Sequence, residues 1–142
     1  MKKKRIVIAI SMSILVVISG VGFYILGINP FINWGSRIEA DYNNQFEVFE
    51  NIAFDANEGF VYMKQDDFDI SNADYNMLFK ELGYLFISGD SNEMFFCKTI
   101  DGMNAIGLLF TNSSDWIPPS KGKIMKVLDD ENHWYLYSEN YL

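Results

Sequence analysis

The sequence predicts an α+β fold carried behind a single apolar helix. Three observations lead there. Residues 6–28 form an apolar run of 23 residues without a charge. Residues 36–83 repeat their apolar positions at helical spacing, broken by one short branched and aromatic run. After Gly83 the pattern changes to short apolar runs separated by turn residues, the signature of an antiparallel sheet. Together they predict about five or six strands with one or two helices on one face.

The first element is a membrane helix. Ile6 to Ile28 follows "MKKKR" directly. At about 1.5 Å per residue the run makes roughly 34 Å of helix, against a hydrocarbon core of about 30 Å. A secretory leader has a shorter apolar region and an A-x-A-like site after it. No such site follows here, so an uncleaved anchor is expected, with a cleaved leader as the open alternative. Four basic residues (Lys2, Lys3, Lys4, Arg5) precede the run, and few follow it. Lys and Arg are retained on the cytoplasmic side, which puts the N-terminus inside and the C-terminal domain outside. Asn29-Pro30 reads as the helix stop, and Phe31 and Trp34 as rings at the headgroup layer. Ser13, Gly20 and Gly27 recur every seven residues, a small-residue face that lets a second helix approach. The predicted division is a basic tip (1–5), a membrane helix (6–28), an interfacial linker (29–35) and an acidic extracytoplasmic domain (36–142).

Within that domain, Ser36-Arg37-Ile38-Glu39 reads as a capping box. Ile38, Tyr42, Phe46, Phe49 and Ala53 follow at helical spacing, predicting a helix over about 37–54. Phe46, Val48, Ile52 and Phe54 also fit a strand. "FVYMK" (60–64) reads as a strand. Ser71-Asn72-Ala73-Asp74 opens a second helix whose stripe is Tyr75, Leu78, Phe79 and Leu82, with Gly83 at its end. Strands are predicted at 84–88, 93–99 and 104–110, the last two joined at Asp101-Gly102, a type I′ hairpin signal. "EMFFCKT" is apolar on both faces and so predicts a central strand. The long loop "TNSSDWIPPSKG" follows, then a hairpin of strands at 123–128 and 133–138.

Composition bounds the function. Residues 35–142 hold seven basic and nineteen acidic side chains, a net charge of −12, with nineteen aromatics. The aromatics supply a core. The charge argues against nucleic acid, whose phosphates require Lys and Arg, and against the domain lying flat on anionic lipid. One His and one Cys cannot build an ordinary zinc site. Cys97, beside two Phe residues, reads as packing rather than as a nucleophile for His133. Asp67-x-Asp69-x-Ser71 begins like a calcium loop, but Asn72 stands where the tight-turn glycine belongs and Leu78 where the bidentate Glu belongs. No nucleophile elbow, P-loop or dinucleotide fingerprint is present. No cofactor is expected, and an envelope enzyme is the least favoured function.

Asp115-Trp116-Ile117-Pro118-Pro119 is the most informative loop. Two prolines stiffen it, and Trp116 is either an anchor for a partner or a ring folded back over the sheet. In "HWYLY", Trp134 and Leu136 share one face and Tyr135 and Tyr137 the other. Trp116, Ile117, Tyr135 and Tyr137 are therefore the candidate partner-binding residues. The basic start, single anchor and extracytoplasmic domain resemble the layout of small bacterial single-pass membrane proteins. The resemblance is one of architecture and carries over no functional residue. The function expected is a non-enzymatic interaction module tethered at the cell membrane, whose partner is another envelope or membrane protein. An immunity-type protein capturing a cationic toxin or peptide is the alternative, since the acid surplus would speed such encounters.

Overall fold

A computed structural model of the chain describes residues 30–142, apart from 57–58, 60, 68–70, 114 and 141–142; for residues 30–33 it describes the backbone alone. The chain divides into two compact units, Met1–Trp34 and Gly35–Leu142. The expected anchor, from Ile6 to Ile28 with Ser13, Gly20 and Gly27, lies outside the described residues. Among those described, no helix is long and apolar enough to cross a membrane. The second unit is α+β, with six antiparallel strands and two helical segments.

Helix α1 is described over Pro30–Asp55. The expected fresh start at Ser36 is corrected, since the backbone is already helical at Pro30, Phe31 and Trp34; the expected stop involves Asn29, which lies outside the described residues. Ser36 and Arg37 face solvent instead of capping. The expected stripe does turn inward, since Ile38, Tyr42, Phe49 and Ala53 are buried and Phe46 is partly so. Val48 and Ile52 join it beyond a kink at Gln45 (φ −133°, ψ 31°). Asn43 and Asn44, both poor helix formers, lead into the kink.

Strand β1 is Val61–Lys64. Helix α2 opens at Ala73–Asn76 and continues as a π-turn over Met77–Glu81. Its cap is Asn72 rather than Ser71: the Asn72 amide oxygen accepts from the N–H groups of Asp74 and Tyr75 at 3.0 and 3.1 Å. An Asn at that position reaches the second and third orphan donors of the helix. Leu78 and Phe79 are buried, Tyr75 and Leu82 partly so, as the stripe predicted. Gly83 ends the segment with a φ of 69°.

The remaining strands are β2 (Phe86–Gly89), β3 (Glu93–Asp101), β4 (Asn104–Thr111), β5 (Gly122–Asp129) and β6 (Trp134–Asn140). Asp101 pairs with Asn104, so the β3–β4 turn is Gly102-Met103. Of these two only Gly102 has positive φ (60°), the pattern of a type II′ turn and not the expected type I′.

The sheet order is β1-β2-β3-β4-β6-β5. Strand β3 is central, as its two apolar faces predicted. Both β4 and β5 run antiparallel to β6, and so parallel to each other. The connection 112–121 must then travel from one end of β6 to the other, across a face of the sheet. On the opposite face α1 covers Phe96, Ile106, Leu108, Phe110, Trp134 and Leu136. Trp134 is the hub, with the rings of Tyr42, Phe46, Phe49, Phe96 and Phe110 between 5.1 and 6.3 Å away. A bulge between Cys97 and Thr99 frees Lys98 from the ladder. Its ammonium reaches Asp41 of α1 at 2.9 Å and the Leu82 carbonyl at the end of α2.

Candidate functional site

The crossing segment 112–121 behaves as a strap. Its start is tied down where the Asn112 N–H donates to the Asn92 carbonyl (2.8 Å) and the Trp116 N–H to the Ser113 carbonyl (3.3 Å). Its end is tied by Gly122 N–H to the Pro119 carbonyl (2.8 Å) and Asn140 N–H to the Lys121 carbonyl (2.9 Å). Between these ties Pro118 and Pro119 fix φ and remove two donors, so this stretch holds its shape without pairing to the sheet.

Period-two alternation along β6 puts Tyr135, Tyr137 and Glu139 on the face that the strap crosses. Trp116 lies on them. Its ring is near-parallel to Tyr135 (centroids 6.2 Å, 22°) and edge-on to Tyr137 (5.9 Å, 70°). Its indole N–H donates to Oε2 of Glu93, the first residue of β3, at 2.5 Å. Phe86, Phe95, Cys97, Ala105 and Leu109 complete the apolar layer beneath. Thus three of the four residues singled out from sequence, Trp116, Tyr135 and Tyr137, meet in one cluster. The fourth, Ile117, points away and is 82% exposed. Trp116 and Tyr135 are half-buried and Tyr137 is buried. Of the expected anchor rings, Phe31 and Trp34 are placed in α1.

Three residues of the cluster were missed in the sequence. Glu93 read only as the polar edge of a strand. Glu139 was one acid among nineteen. Gly122 read as loop, yet a Cβ there would stand 1.7 Å from the Tyr137 hydroxyl. No local pattern marks a glycine whose role is to leave space for a ring fifteen residues away in the chain.

The electrostatics follow from burial. Tyr137 is pushed far above the ordinary phenol range by burial, then by the Glu139 and Glu93 carboxylates, and so stays neutral. Its hydroxyl is buried without a hydrogen-bond partner. Glu139 is raised by burial and by Glu93, and partly drawn back by Lys121. The arrangement offers carboxylate acceptors, aromatic faces and one unsatisfied hydroxyl.

Nucleophilic chemistry finds little support. Burial pushes the Cys97 thiol up to about 12, and the thiol donates to the Thr99 carbonyl at 3.4 Å. Cys97 pairs in register with Gly107, whereas His133 sits beyond Trp134, the partner of Phe110. In the acidic stretch near α2, Asp74 accepts from the Asn51 amide at 3.2 Å. Asp69 lies outside the described residues. Among the described residues no three of His, Cys, Asp or Glu converge as metal ligands. Compared with known proteins, the chain matches no family model, no curated protein and no solved structure.

Proposed function

We propose that the chain is a non-enzymatic interaction module, held at the extracytoplasmic side of the cell membrane by residues 6–28, that docks another membrane or envelope protein through its strap. The observation that carries this reading is Ile117. It is 82% exposed on a segment braced by two prolines and pinned by the Trp116–Glu93 bond. A large aliphatic side chain held out from a rigid support loses little conformational entropy on binding. Val127, 47% exposed, pairs with Tyr135 in register and widens the apolar patch. Tethering adds to this: a module confined to a membrane meets its neighbours at high effective concentration, so a small patch suffices.

The test is position-specific photocrosslinking in intact cells that express the protein. A photoreactive residue at position 117 is expected to give one discrete adduct with a membrane or envelope protein. The same residue at Asn43, exposed on α1, is expected to give none. Trp116→Ala, which frees the strap, is expected to abolish the adduct at 117. Identical adduct patterns at 117 and 43, or none at either, overturn the reading. Protease added outside sealed cells is expected to remove the C-terminal domain and leave the N-terminus intact.

A further inference from the structure

We infer that α1 is hinged at Gln45, and that the stretch before the hinge, residues 35–44, is a latch that lifts off the sheet as a unit while the rest of the domain stays folded. The latch is a conformational device of the domain itself and stands whether or not the strap docks a partner.

Three features set this stretch apart. The first is the kink. Gln45 departs from helical dihedrals (φ −133°, ψ 31°), so α1 is two helical stretches joined there. Helix formation is cooperative along an unbroken run of turns, and a break lets the two stretches open separately. The second is burial. After the kink Val48, Phe49, Ile52 and Ala53 are buried, and the Phe49 ring meets those of Tyr84, Phe96 and Trp134. Within residues 35–44 the buried side chains are Ile38 and Tyr42. Gly35 comes close to Leu136 but has no side chain to bury.

The third is the kind of contact that holds the latch down. Three polar contacts gather on one turn of it. Glu39 pairs with Lys126 at 2.6 Å, Asp41 pairs with Lys98 at 2.9 Å, and the Tyr42 hydroxyl donates to Asp129 at 3.4 Å. Two of these partners stand on β5, an edge strand, and the third on the β3 bulge. The Lys126 and Glu39 side chains are 51% and 38% exposed, so their pair is weak and screened by salt. Water replaces polar contacts when they part, and it does not replace the buried apolar contacts of the second stretch. The first stretch therefore opens at lower cost than the second. Detached, a helix of this length is marginal in water, so the lifted latch frays and its amides exchange. In chain order the latch lies between residues 6–28 and the body of the domain. Opening it converts about 15 Å of helix into as much as about 35 Å of extended chain. For a domain tethered through residues 6–28, that is added reach with the Phe49 core left in place.

The experiment is residue-resolved hydrogen exchange on the full chain in nanodiscs of zwitterionic phosphatidylcholine. After correction for intrinsic rates, amides 38–44 are expected to exchange together, at least about tenfold faster than amides 50–53, with the step at Gln45. Raising salt from about 0.02 M to about 0.5 M shortens the screening length from about 20 Å to about 4 Å, and is expected to speed the first group alone. Glu39→Gln is expected to speed that group about threefold and Asp41→Asn about tenfold, with amides 50–53 unchanged in both. The second group is the internal control, since a variant that merely loosens the whole domain speeds both. Equal protection on the two sides of Gln45, a gradual slope without a step, or variants that speed both groups alike overturns the inference.

Discussion

Tyr137 and Gly122 form a pair in which each explains the other. The phenol end occupies the space where any other residue would place its Cβ, 1.7 Å from the hydroxyl oxygen. Gly122→Ala is therefore expected to destabilise the domain by about 2 kcal/mol through overpacking. Tyr137→Phe removes a hydroxyl without a partner and is expected to be neutral or stabilising. Combined, the two changes should cost less than the alanine alone, and chemical denaturation of the double-mutant cycle measures the coupling. Glu139 gives a pH signature. Its carboxyl is raised in the folded state, so the folded chain binds its proton more tightly than the unfolded chain does. That contribution is neutral below the ordinary carboxylate range and becomes destabilising as pH rises through the raised range. Glu139→Gln should then stabilise the domain at neutral pH and lose its advantage in acid, which melting curves across pH will show.

Among the elements, those with long internal periods were legible and those set by partners were not. The α1 stripe from Ile38 to Ala53, the α2 stripe and the central position of β3 all follow from spacing, because burial imposes that spacing directly. The start of α1 was misread because Ser36 and Glu39 fit a cap as well as they fit one solvent-facing turn. The β3–β4 turn was read one residue early, since Asp101-Gly102 fits a hairpin in either frame until the pairing of Asp101 with Asn104 selects one. Lys98 was silent in the sequence for a related reason: only a bulge shows that it leaves the ladder. Its side chain is 9% exposed and that of Asp41 19%. Lys98→Met leaves the half-buried Asp41 carboxylate and the Leu82 carbonyl without their partner, and is expected to cost about 2 kcal/mol. Adding Asp41→Asn should recover part of that loss in the same denaturation assay.

Over the whole domain, the strap and the strand order were the least legible features. Nothing in "KIMKVL" or "HWYLY" states which of the two will lie beside β4, because both are adequate strands. The choice fits Trp134, whose ring meets those of α1, β3 and β4 at once. Its demand for the interior draws the last strand inward and sends β5 to the edge, and the strap follows from that. The two edges are then protected by different means. Strand β1 has four residues, and β5 carries two register shifts with Lys123 and Lys126 exposed along it. Short, bulged and charged edges resist pairing with other chains. Replacing Lys123 and Lys126 together by Val is expected to produce concentration-dependent assembly, visible by analytical ultracentrifugation.

Because β6 is the sixth strand in sequence but the fifth in space, the domain cannot be built by adding strands as they emerge. While the chain is being delivered, β4 has β3 on one side only, β5 has no strand to pair with, and Trp134 has not arrived to take its place in the interior. Completion waits on the final strand, which must slide in between two already extruded ones. A chain halted before position 134 would thus present raw sheet margins and a gap in its core to any surveillance protease, and unfinished copies would be recognisable as such.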